Sequence, residues 1–337
     1  MANPFEWEYL TTVVNEIKPE SNFLTQKLIG NKIVNEPAEQ VVWAMQTGTY
    51  KPAPLNTIGD PATKVDVQLH LDSKSAVAPQ ILLEDRIQVY DALTGMMPGQ
   101  SGPVSVAKLN ANDRQRIAYK VAELRKSIDR TIELMLAQIV TTGKINLDKF
   151  KYDFGVPASN ITTASTLWDA SGVNVYKELL SYVRAYAKLN GYRPNTIIVG
   201  SDAADALMSN SEVQALLNNR NLAVGGMTNK FMNNDQVIYH GTLTGIGDIY
   251  EYIGTYQDDT GAMVDYIPSN TLVLANSDAF ELHYGAIADY DVGGFVKRAY
   301  FSKMKTAFEG KTKYIYVESH PLPILKSNLG VMTVEVL

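Results

Sequence analysis

The sequence contains no cysteine, and this single absence excludes several kinds of site. Disulfide bonds, thiolate metal sites, iron–sulfur clusters and cysteine nucleophiles all need a residue that the chain does not have. Long apolar runs are also missing, since none approaches the roughly 18 residues typical of a membrane-spanning helix. The first residues lack the basic-then-apolar order of a signal peptide. We therefore expect no membrane partner and a chain that stays in the cytoplasm where it is made.

Clustered basic residues are equally scarce. The chain has 30 Lys and Arg against 36 Asp and Glu, a formal net charge of −6, and no basic run is longer than Lys297-Arg298. Because affinity for nucleic acid phosphates comes from clustered basic side chains, this balance argues against sequence-specific nucleic acid binding.

Motifs typical of catalysis occur only as fragments. Gly310-Lys311-Thr312 resembles the end of a phosphate-binding loop, but Lys305 stands where that motif needs its first glycine. Asp259-Thr260-Gly261 resembles an aspartic-protease loop, which requires two paired carboxylates, and only one copy is present. These fragments are better explained as turns between strands.

The spacing of the histidines does not predict a metal site. His70, His240, His283 and His320 are far apart, and none has a carboxylate or a second histidine at ligand spacing. The sequence therefore predicts no metal site, no cofactor and no enzyme activity. An alternative stays open in which Asp258, Asp259 and a histidine serve a soluble α+β hydrolase.

The length and composition predict a globular protein with more than one lobe. At 337 residues the chain exceeds the roughly 250–300 residues over which a single core usually grows. Its 45% hydrophobic and 20% charged content is ordinary for a soluble protein. Residues 1–38 read as an arm, with helical spacing from Trp7 to Ile17 and then short apolar patches that need a larger body to pack on.

A Gly/Pro/Thr-rich stretch at 39–75 follows, with no visible core of its own. A strand-like run begins at Gln40, and apolar residues alternate with polar ones from Val65 to Asp72. Two strands joined by a long Pro/Gly loop predict an extended hairpin, which is marginal in isolation. Such an element must find burial elsewhere, most economically on another copy of the same chain.

A long amphipathic helix is predicted over residues 112–143. Apolar residues recur every three or four positions from Ile117 to Ile139, and Asn112 and Gly143 suit its N-cap and its C-terminal stop. Its other face carries charged residues, interpreted mainly as a solvated face and alternatively as contacts with neighbouring subunits: Arg116, Lys120, Glu123, Lys126, Arg130 and Glu133.

The rest of the chain predicts an α+β lobe. A helix from Val175 ends at Gly191, a buried strand covers 196–200, and Ser201 or Asp202 is expected to cap the next helix. Short strands follow at 236–239, 248–256, 263–267, 272–275, 314–318, 321–325 and 331–337.

The order of several short motifs then carries a resemblance. The motifs are Lys18-Pro19-Glu20-Ser21-Asn22-Phe23-Leu24, Val77-Ala78-Pro79-Gln80, Ala137-Gln138-Ile139-Val140-Thr141-Thr142-Gly143-Lys144, Asp153-Phe154-Gly155, Gly254-Thr255-Tyr256, Asp258-Asp259-Thr260-Gly261, Tyr266-Ile267-Pro268-Ser269-Asn270-Thr271, Tyr284-Gly285 and Ser319-His320-Pro321-Leu322-Pro323. Together, over essentially the whole chain, they resemble the major capsid proteins of tailed bacteriophages, in particular the lambda capsid-protein (E-type) family.

This resemblance implies the α+β Hong Kong 97-type capsid fold. It places an N-terminal arm at 1–38, an extended loop at 39–75, and a peripheral domain at 76–159 with its spine helix at 112–143. An axial domain at 160–300 and return strands of the peripheral domain at 301–337 complete it. In this fold the extended loop lies over the neighbouring subunit.

The function implied is a major capsid protein that forms pentamers and hexamers of an icosahedral shell, enclosing double-stranded DNA in the virion. A separate scaffolding protein, a portal and a decoration protein are the further partners implied, the scaffold because the chain begins at the arm. The intersubunit contacts expected are Tyr50, Lys51, Pro52, Asp60, Lys64, Arg116, Lys120, Glu123 and Arg130. A cellular encapsulin-like compartment of the same fold is the alternative.

Overall fold

The structure is a computed structural model, and it describes residues 7–17, 22–47, 70–88, 106–170, 172–215, 236–243 and 245–337. Its α-helices are α1 (Trp7–Glu16), α2 (Val106–Thr142), α3 (Val175–Asn190) and α4 (Ser201–Ser209). Short helical turns of π and 3-10 type cover Thr25–Ile29, Ala158–Asn160 and Ser277–Ala279. The strands are β1 (Ile33–Asn35), β2 (Gln40–Thr47), β3 (His70–Val77), β4 (Ile81–Gln88), β5 (Lys144–Leu147), β6 (Phe150–Asp153), β7 (Ile161–Thr163), β8 (Thr196–Val199), β9 (Val237–Leu243), β10 (Gly247–Tyr252), β11 (Thr255–Gln257), β12 (Met263–Asp265), β13 (Thr271–Ala275), β14 (Phe280–Tyr284), β15 (Ile287–Asp289), β16 (Gly294–Val296), β17 (Phe301–Thr306), β18 (Thr312–Ser319), β19 (Pro321–Leu325) and β20 (Val331–Glu335).

The N-terminal arm packs on the body, as its short apolar patches predict. Helix α1 buries Leu10 and Val14 and lies along β17, where Thr11 and Ser302 exchange hydrogen bonds of 3.1 Å. The following apolar residues of the arm are all buried too: Phe23, Leu24, Leu28 and Ile29. These side chains join the largest core cluster of the described residues, so the arm contributes to the core of the fold.

Helix α2 is the longest helix described, at 37 residues or about 55 Å. Its predicted apolar stripe is confirmed, since Val121, Ile128 and Ile139 are completely buried. The predicted start is wrong, because the helix begins at Val106 and Asn112 lies within it. Residues 106–111 contain neither Gly nor Pro, so nothing in them prevents helix formation.

The end of α2 agrees with the prediction. Gly143 adopts φ +70, and its N–H donates to the carbonyl of Ile139 at 2.9 Å. A side chain at Gly143 would also approach Val156, whose Cβ would lie 2.7 Å from the new Cβ. Glycine therefore both ends the helix and permits close packing at this point.

Helix α2 contacts strands of several sheets. The helix contacts β4 and β18 of the antiparallel sheet β17-β18-β4, and it also contacts β19 and β20. A six-stranded sheet of mixed direction has the order β7-β20-β13-β8-β10-β9. Helices α3 and α4 share a second core cluster with one face of this sheet.

Several strand expectations are confirmed and others change. Strand β8 is fully buried and β19 has the predicted bounds. The C-terminal strand β20, which the resemblance grouped with the peripheral return strands, pairs with β13 and β7 in the six-stranded sheet. Its register places Val334 opposite Leu272, so the end of the chain completes the sheet on which α3 packs.

The predicted cap of α4 is wrong. Gly200 is the N-cap residue and Ser201 is the first helical residue, while the Asp202 carboxylate accepts from the Ser269 hydroxyl at 2.5 Å. A Cβ at position 200 would overlap the carbonyl oxygen of Pro268. The close approach of these two backbone segments requires glycine at the cap position, where serine or aspartate would be usual.

Within the part of the chain that the structure describes, no helix is long and apolar enough to cross a membrane.

Candidate functional site

The base of the extended hairpin is a two-stranded ladder, β2 paired antiparallel with β3 from Gln40–Val77 to Thr47–His70. Its two faces have opposite surroundings. Val41, Trp43 and Met45 are buried on the inner face. The outer face leaves Val42 56% and Val77 61% exposed. Alternate residues of a strand point to opposite faces, so one valine supports the body while its neighbour stays free for another surface.

The inner face corrects the expectation that residues 39–75 lack a core within their own chain. The Trp43 ring packs with its centroid 5.5 Å from that of Tyr152 and 6.4 Å from that of Phe154. The Gln46 N–H also donates to the Lys326 carbonyl at 2.6 Å, next to β19. The base of the hairpin is therefore fixed on its own body. The predicted burial on another copy can concern only the outer face and the residues beyond the base.

A groove of about 590 Å³ lies where the hairpin leaves the body. Strand β2 forms one wall and the connection between α3 and β8 forms another. The residues just before β14 and just after β19 close the groove. Its polar lining includes Arg193, Asn195 and Asp278. Lys326, at its edge, is held by the Glu281 carboxylate at 2.5 Å, and this pairing lowers the pKa of Glu281 against the opposing effect of burial.

Two of the predicted contact residues on α2 are paired within the chain. The Lys120 ammonium lies 2.6 Å from the Asp85 carboxylate of β4, and Glu123 pairs with Lys126 at 2.7 Å on the same helix. Burial acts to raise the pKa of Asp85, but the hydrogen bond from Lys120 and the backbone N–H of Arg86 outweigh it and lower the pKa. These partly exposed pairs contribute only about 0–1 kcal/mol each.

Of the other predicted contact residues, two lie on α2 and five lie outside the described residues. Arg116 is half-buried, and Arg130 is exposed near the hairpin β11–β12, where its carbonyl accepts from the Tyr266 hydroxyl at 3.4 Å. The remaining five predicted residues lie outside the described residues: Tyr50, Lys51, Pro52, Asp60 and Lys64. The intersubunit role of all nine stays a prediction.

The sequence interpretation missed a buried polar stripe on α2. Arg125, Asp129 and Glu133 follow one another at intervals of four residues, and each is at least 93% buried. Glu133 was assigned to the solvated face, which is wrong, because its side chain is completely buried. Spacing alone could have suggested this stripe, since each of the three residues directly follows an apolar residue of the buried face.

Arg125 and Glu133 of this stripe each bind backbone groups at the end of a helical segment in the arm. The Arg125 guanidinium donates to the carbonyl of Val14 at 2.6 Å and to that of Ile17, at the C-terminal end of α1. The Glu133 carboxylate accepts from the N–H of Leu24 at 2.6 Å, at the start of the next helical segment. A cation at a helix C-terminus and a carboxylate at a helix N-terminus both satisfy free backbone groups and oppose the helix dipole.

Asp129 connects these two charges. Its carbonyl accepts from Asn22 at 2.9 Å, and its carboxylate accepts from the Tyr300 hydroxyl. Burial raises the pKa of Tyr300 well above its ordinary value, so the phenol stays protonated and donates. Arg125 also lies over the Tyr300 ring, 4.6 Å from its centroid. The stripe therefore positions the arm against both α2 and the start of β17.

The residues of the hydrolase alternative are not brought together. The Asp258 carboxylate accepts from the N–H groups of Thr260 and Ala262, both at 2.9 Å, which makes it a turn residue. Three histidines pair instead with glutamates elsewhere: His240 with Glu251 at 2.6 Å, His283 with Glu36 at 2.7 Å and His320 with Glu318 at 3.1 Å. Among the described residues, no three acidic or histidine side chains come together in a way that could hold a metal ion.

A comparison with protein families decides what kind of protein carries this hairpin, helix and arm. The family model described as phage major capsid protein E matches residues 6–336. The chain belongs to this family. It is a phage major capsid protein, and so a component of the virion. No curated protein sequence matches the chain.

Solved structures agree with the capsid fold. A prophage capsid protein from Escherichia coli CFT073 matches with a TM-score of 0.69 at 17% identity, over 98% of this chain and 99% of that one. The capsid of cyanophage A-1(L) matches with a TM-score of 0.53 at 12% identity, over 96% and 94% of the two chains. Because both identities are low, the likeness shows the fold alone. This capsid protein has the α+β fold of phage capsid proteins.

The encapsulin alternative has weaker support. The encapsulin complex of Synechococcus elongatus PCC 7942 matches with a TM-score of 0.48 at 9% identity, over 96% of this chain and 89% of that one. A likeness this weak supports no argument about the capsid protein. The family and the fold are both those of structural proteins.

Proposed function

We propose that this capsid protein assembles with copies of itself, as pentamers and hexamers, into a closed icosahedral shell around double-stranded phage DNA. Its role in the proposal is purely structural, without catalytic activity, and assembly takes place in the host cytoplasm. Family membership supports a shell built from this chain. The net charge of −6 suits a wall that encloses DNA without binding its sequence.

One observation supports self-association most directly, namely the opposite environments of Val41 and Val42. Val41 is completely buried on the chain's own body, while Val42, the next residue of the same strand, is 56% exposed. Val77, across the ladder on the same outer face, is 61% exposed. Exposed apolar side chains grouped on one face of a hairpin are typical of an interface. In the proposal, this outer face and residues 48–69 beyond it lie over a neighbouring subunit.

The charged face of α2 contributes the second set of proposed contacts. Arg116 and Arg130 offer guanidinium groups for bidentate contacts with carboxylates of another copy. Lys120 and Glu123 already have partners in the chain, so their proposed contacts are extensions of existing ion pairs. Many modest contacts of this kind, repeated around a closed shell, give a stable particle. A scaffolding protein, a portal and a decoration protein are the other proposed partners.

Electron microscopy of the purified chain tests the proposal. The chain is examined alone and after coexpression with candidate scaffolding proteins encoded near it. Closed shells, tubes or rosettes of hexamers are the expected result. A chain that stays monomeric at high concentration under every one of these conditions would contradict self-assembly. Particles that contain an enzyme and no DNA in the native host would instead favour the compartment alternative.

A further inference from the structure

The hairpin formed by β17 and β18 presents a bare aromatic side chain at its tip. Phe308 is fully exposed, in a turn closed by hydrogen bonds from Ala307 to Thr312 at 2.8 Å and from Gly310 to Ala307 at 2.9 Å. A phenylalanine can bury on the order of 150–250 Å² when it meets a partner. The hydrogen-bonded turn holds this side chain exposed to solvent, where a partner can bind it. We call Phe308 in this turn the knob.

A groove of about 550 Å³ lies elsewhere on the chain, between α1 and the hairpin β15–β16. Trp7, Val292 and Phe295 give it an apolar lining, and Phe295 is itself 60% exposed. The adjacent basic residues Lys297 and Arg298 also line it. The groove is thus apolar inside and basic on one rim.

The knob cannot enter the groove of its own chain. Phe301, at the start of β17, packs against Trp7 of the groove with ring centroids 6.0 Å apart. Phe308 follows seven residues later, about 23 Å along the strand direction. Strand β17 is paired with β18 over its whole length, and β18 with β4, so this hairpin cannot fold back. Only the Phe308 of a second copy can reach the groove.

The charges around the two surfaces are complementary. Glu309 and Lys311 flank the knob, while the groove carries Lys297 and Arg298 on one side and Glu8 on the other. All five side chains are exposed, and none forms an ion pair with another described residue. Glu309 can therefore meet the basic rim while Lys311 meets Glu8.

The geometry points to a contact in which Phe308 of one copy seats in the groove between α1 and β15–β16 of a second copy. This inference rests on the proposed self-assembly and names one of its contacts. Because knob and groove are different surfaces, the contact is heterologous, and it closes into a ring or continues through a lattice. It also gives α1 of the arm a role between subunits as well as within its own chain.

Site-directed cross-linking tests the contact, and the chain suits it because it has no cysteine of its own. Thr12 lines the groove and is exposed, and Lys311 is exposed three residues after Phe308, so the double variant Thr12→Cys/Lys311→Cys changes no core residue and keeps the knob. Assembled particles are oxidised with copper–phenanthroline and separated on denaturing, non-reducing gels. Linked dimers and higher species are expected. The matched control Met263→Cys/Lys311→Cys, whose first cysteine is also exposed but lies on β12, is expected to stay monomeric.

The possible outcomes separate the contact from self-assembly itself. If the unmodified chain forms no particles, the proposed function fails. If particles form but the double variant stays unlinked, the contact is overturned, as it would be if another protein occupied the groove. Dimers from Lys311→Cys alone would also overturn it, because they would mean that the tips of the hairpins meet one another.

A second measurement does not depend on cysteine and decides the matter if the double variant fails to assemble. Glu309→Lys is expected to lower the assembled fraction at least about tenfold, since each unfavourable contact is repeated throughout the particle. Adding Lys297→Glu and Arg298→Glu is expected to restore assembly. Absence of this rescue, with all variants folded by circular dichroism, would overturn the contact.

Discussion

Glu133 of α2 holds Thr25 of the N-terminal arm through two hydrogen bonds to one carboxylate oxygen. The Thr25 hydroxyl donates to Oε2 at 2.7 Å and its backbone N–H donates at 2.9 Å. The other oxygen accepts from the N–H of Leu24 at 2.6 Å and from the Tyr252 hydroxyl at 2.9 Å. A single buried carboxyl therefore joins the arm, α2 and strand β10 of the six-stranded sheet.

Replacing this carboxyl by an amide is expected to loosen the arm. In Glu133→Gln one oxygen becomes an NH₂ group, and the Thr25 N–H that faced it loses its acceptor. A buried donor left without a partner costs roughly 1–3 kcal/mol, so we expect a loss of about 2 kcal/mol in the free energy of unfolding. Urea denaturation of the unassembled chain measures it. Glu123→Gln, on the partly exposed face of α2, is the matched control and is expected to change stability by less than about 1 kcal/mol. Equal stability of the two variants would contradict this role of Glu133.

The same group predicts a pH dependence of stability. Burial raises the pKa of Glu133 above its ordinary value of 4.5, and hydrogen bonds from Thr25, Leu24 and Tyr252 only partly offset this rise. The folded chain therefore binds this proton more tightly than the unfolded chain. The stabilisation is complete below pH 4.5 and is lost as the pH rises through the folded pKa. Unfolding free energies across this window should fall with pH more steeply for the wild type than for Glu133→Gln. A difference between the two that rises with pH would show the opposite sign.

Local patterns predict the elements of this fold well, and long-range packing explains the exceptions. Helix α3 ends at Gly191 with φ +78, as the sequence predicts, and the structure adds Asn174 as the cap at its start. Glu133, in contrast, looks like a solvated residue in sequence because its partners Leu24 and Tyr252 are 109 and 119 residues away. The spacing on α2 can place Glu133 beside the buried face, but no window around the helix identifies these partners.

The hairpin shows the same limit in another form. The alternating pattern predicts that 39–75 forms strands, but the sequence does not reveal that Trp43 finds Tyr152 and Phe154 more than 100 residues later. Composition suggested an element without a core, whereas burial on its own body reaches one face of β2. The opposite face is exposed, and for that face the prediction of burial on another copy still stands.

Adjacent valines of β2 allow folding and assembly to be tested separately. Val42→Asp changes an exposed side chain, so we expect a folded chain with stability within about 0.5 kcal/mol of the wild type and few or no particles. Val41→Asp places the same carboxylate at a fully buried position, where an unpaired charge should prevent folding. Circular dichroism measures the first property and electron microscopy the second. Normal particles from Val42→Asp would mean that the outer face of the hairpin base does not contribute to assembly.

The backbone at the start of α4 closely approaches the turn before β13. Gly200 is the N-cap of α4, and a Cβ there would overlap the carbonyl oxygen of Pro268 and lie 2.6 Å from that of Ser269. Both obstacles are backbone atoms, so no side-chain rotation can relieve the overlap. We expect Gly200→Ala to destabilise the chain by roughly 1–3 kcal/mol or more through a forced shift of α4 against the turn before β13. Gly294→Ala is the matched control, because an added Cβ there meets no atom within 4 Å. Thermal unfolding of the two variants compares them directly. A melting temperature for Gly200→Ala equal to that of Gly294→Ala would mean that α4 and the 268–269 backbone are not held at the distance described.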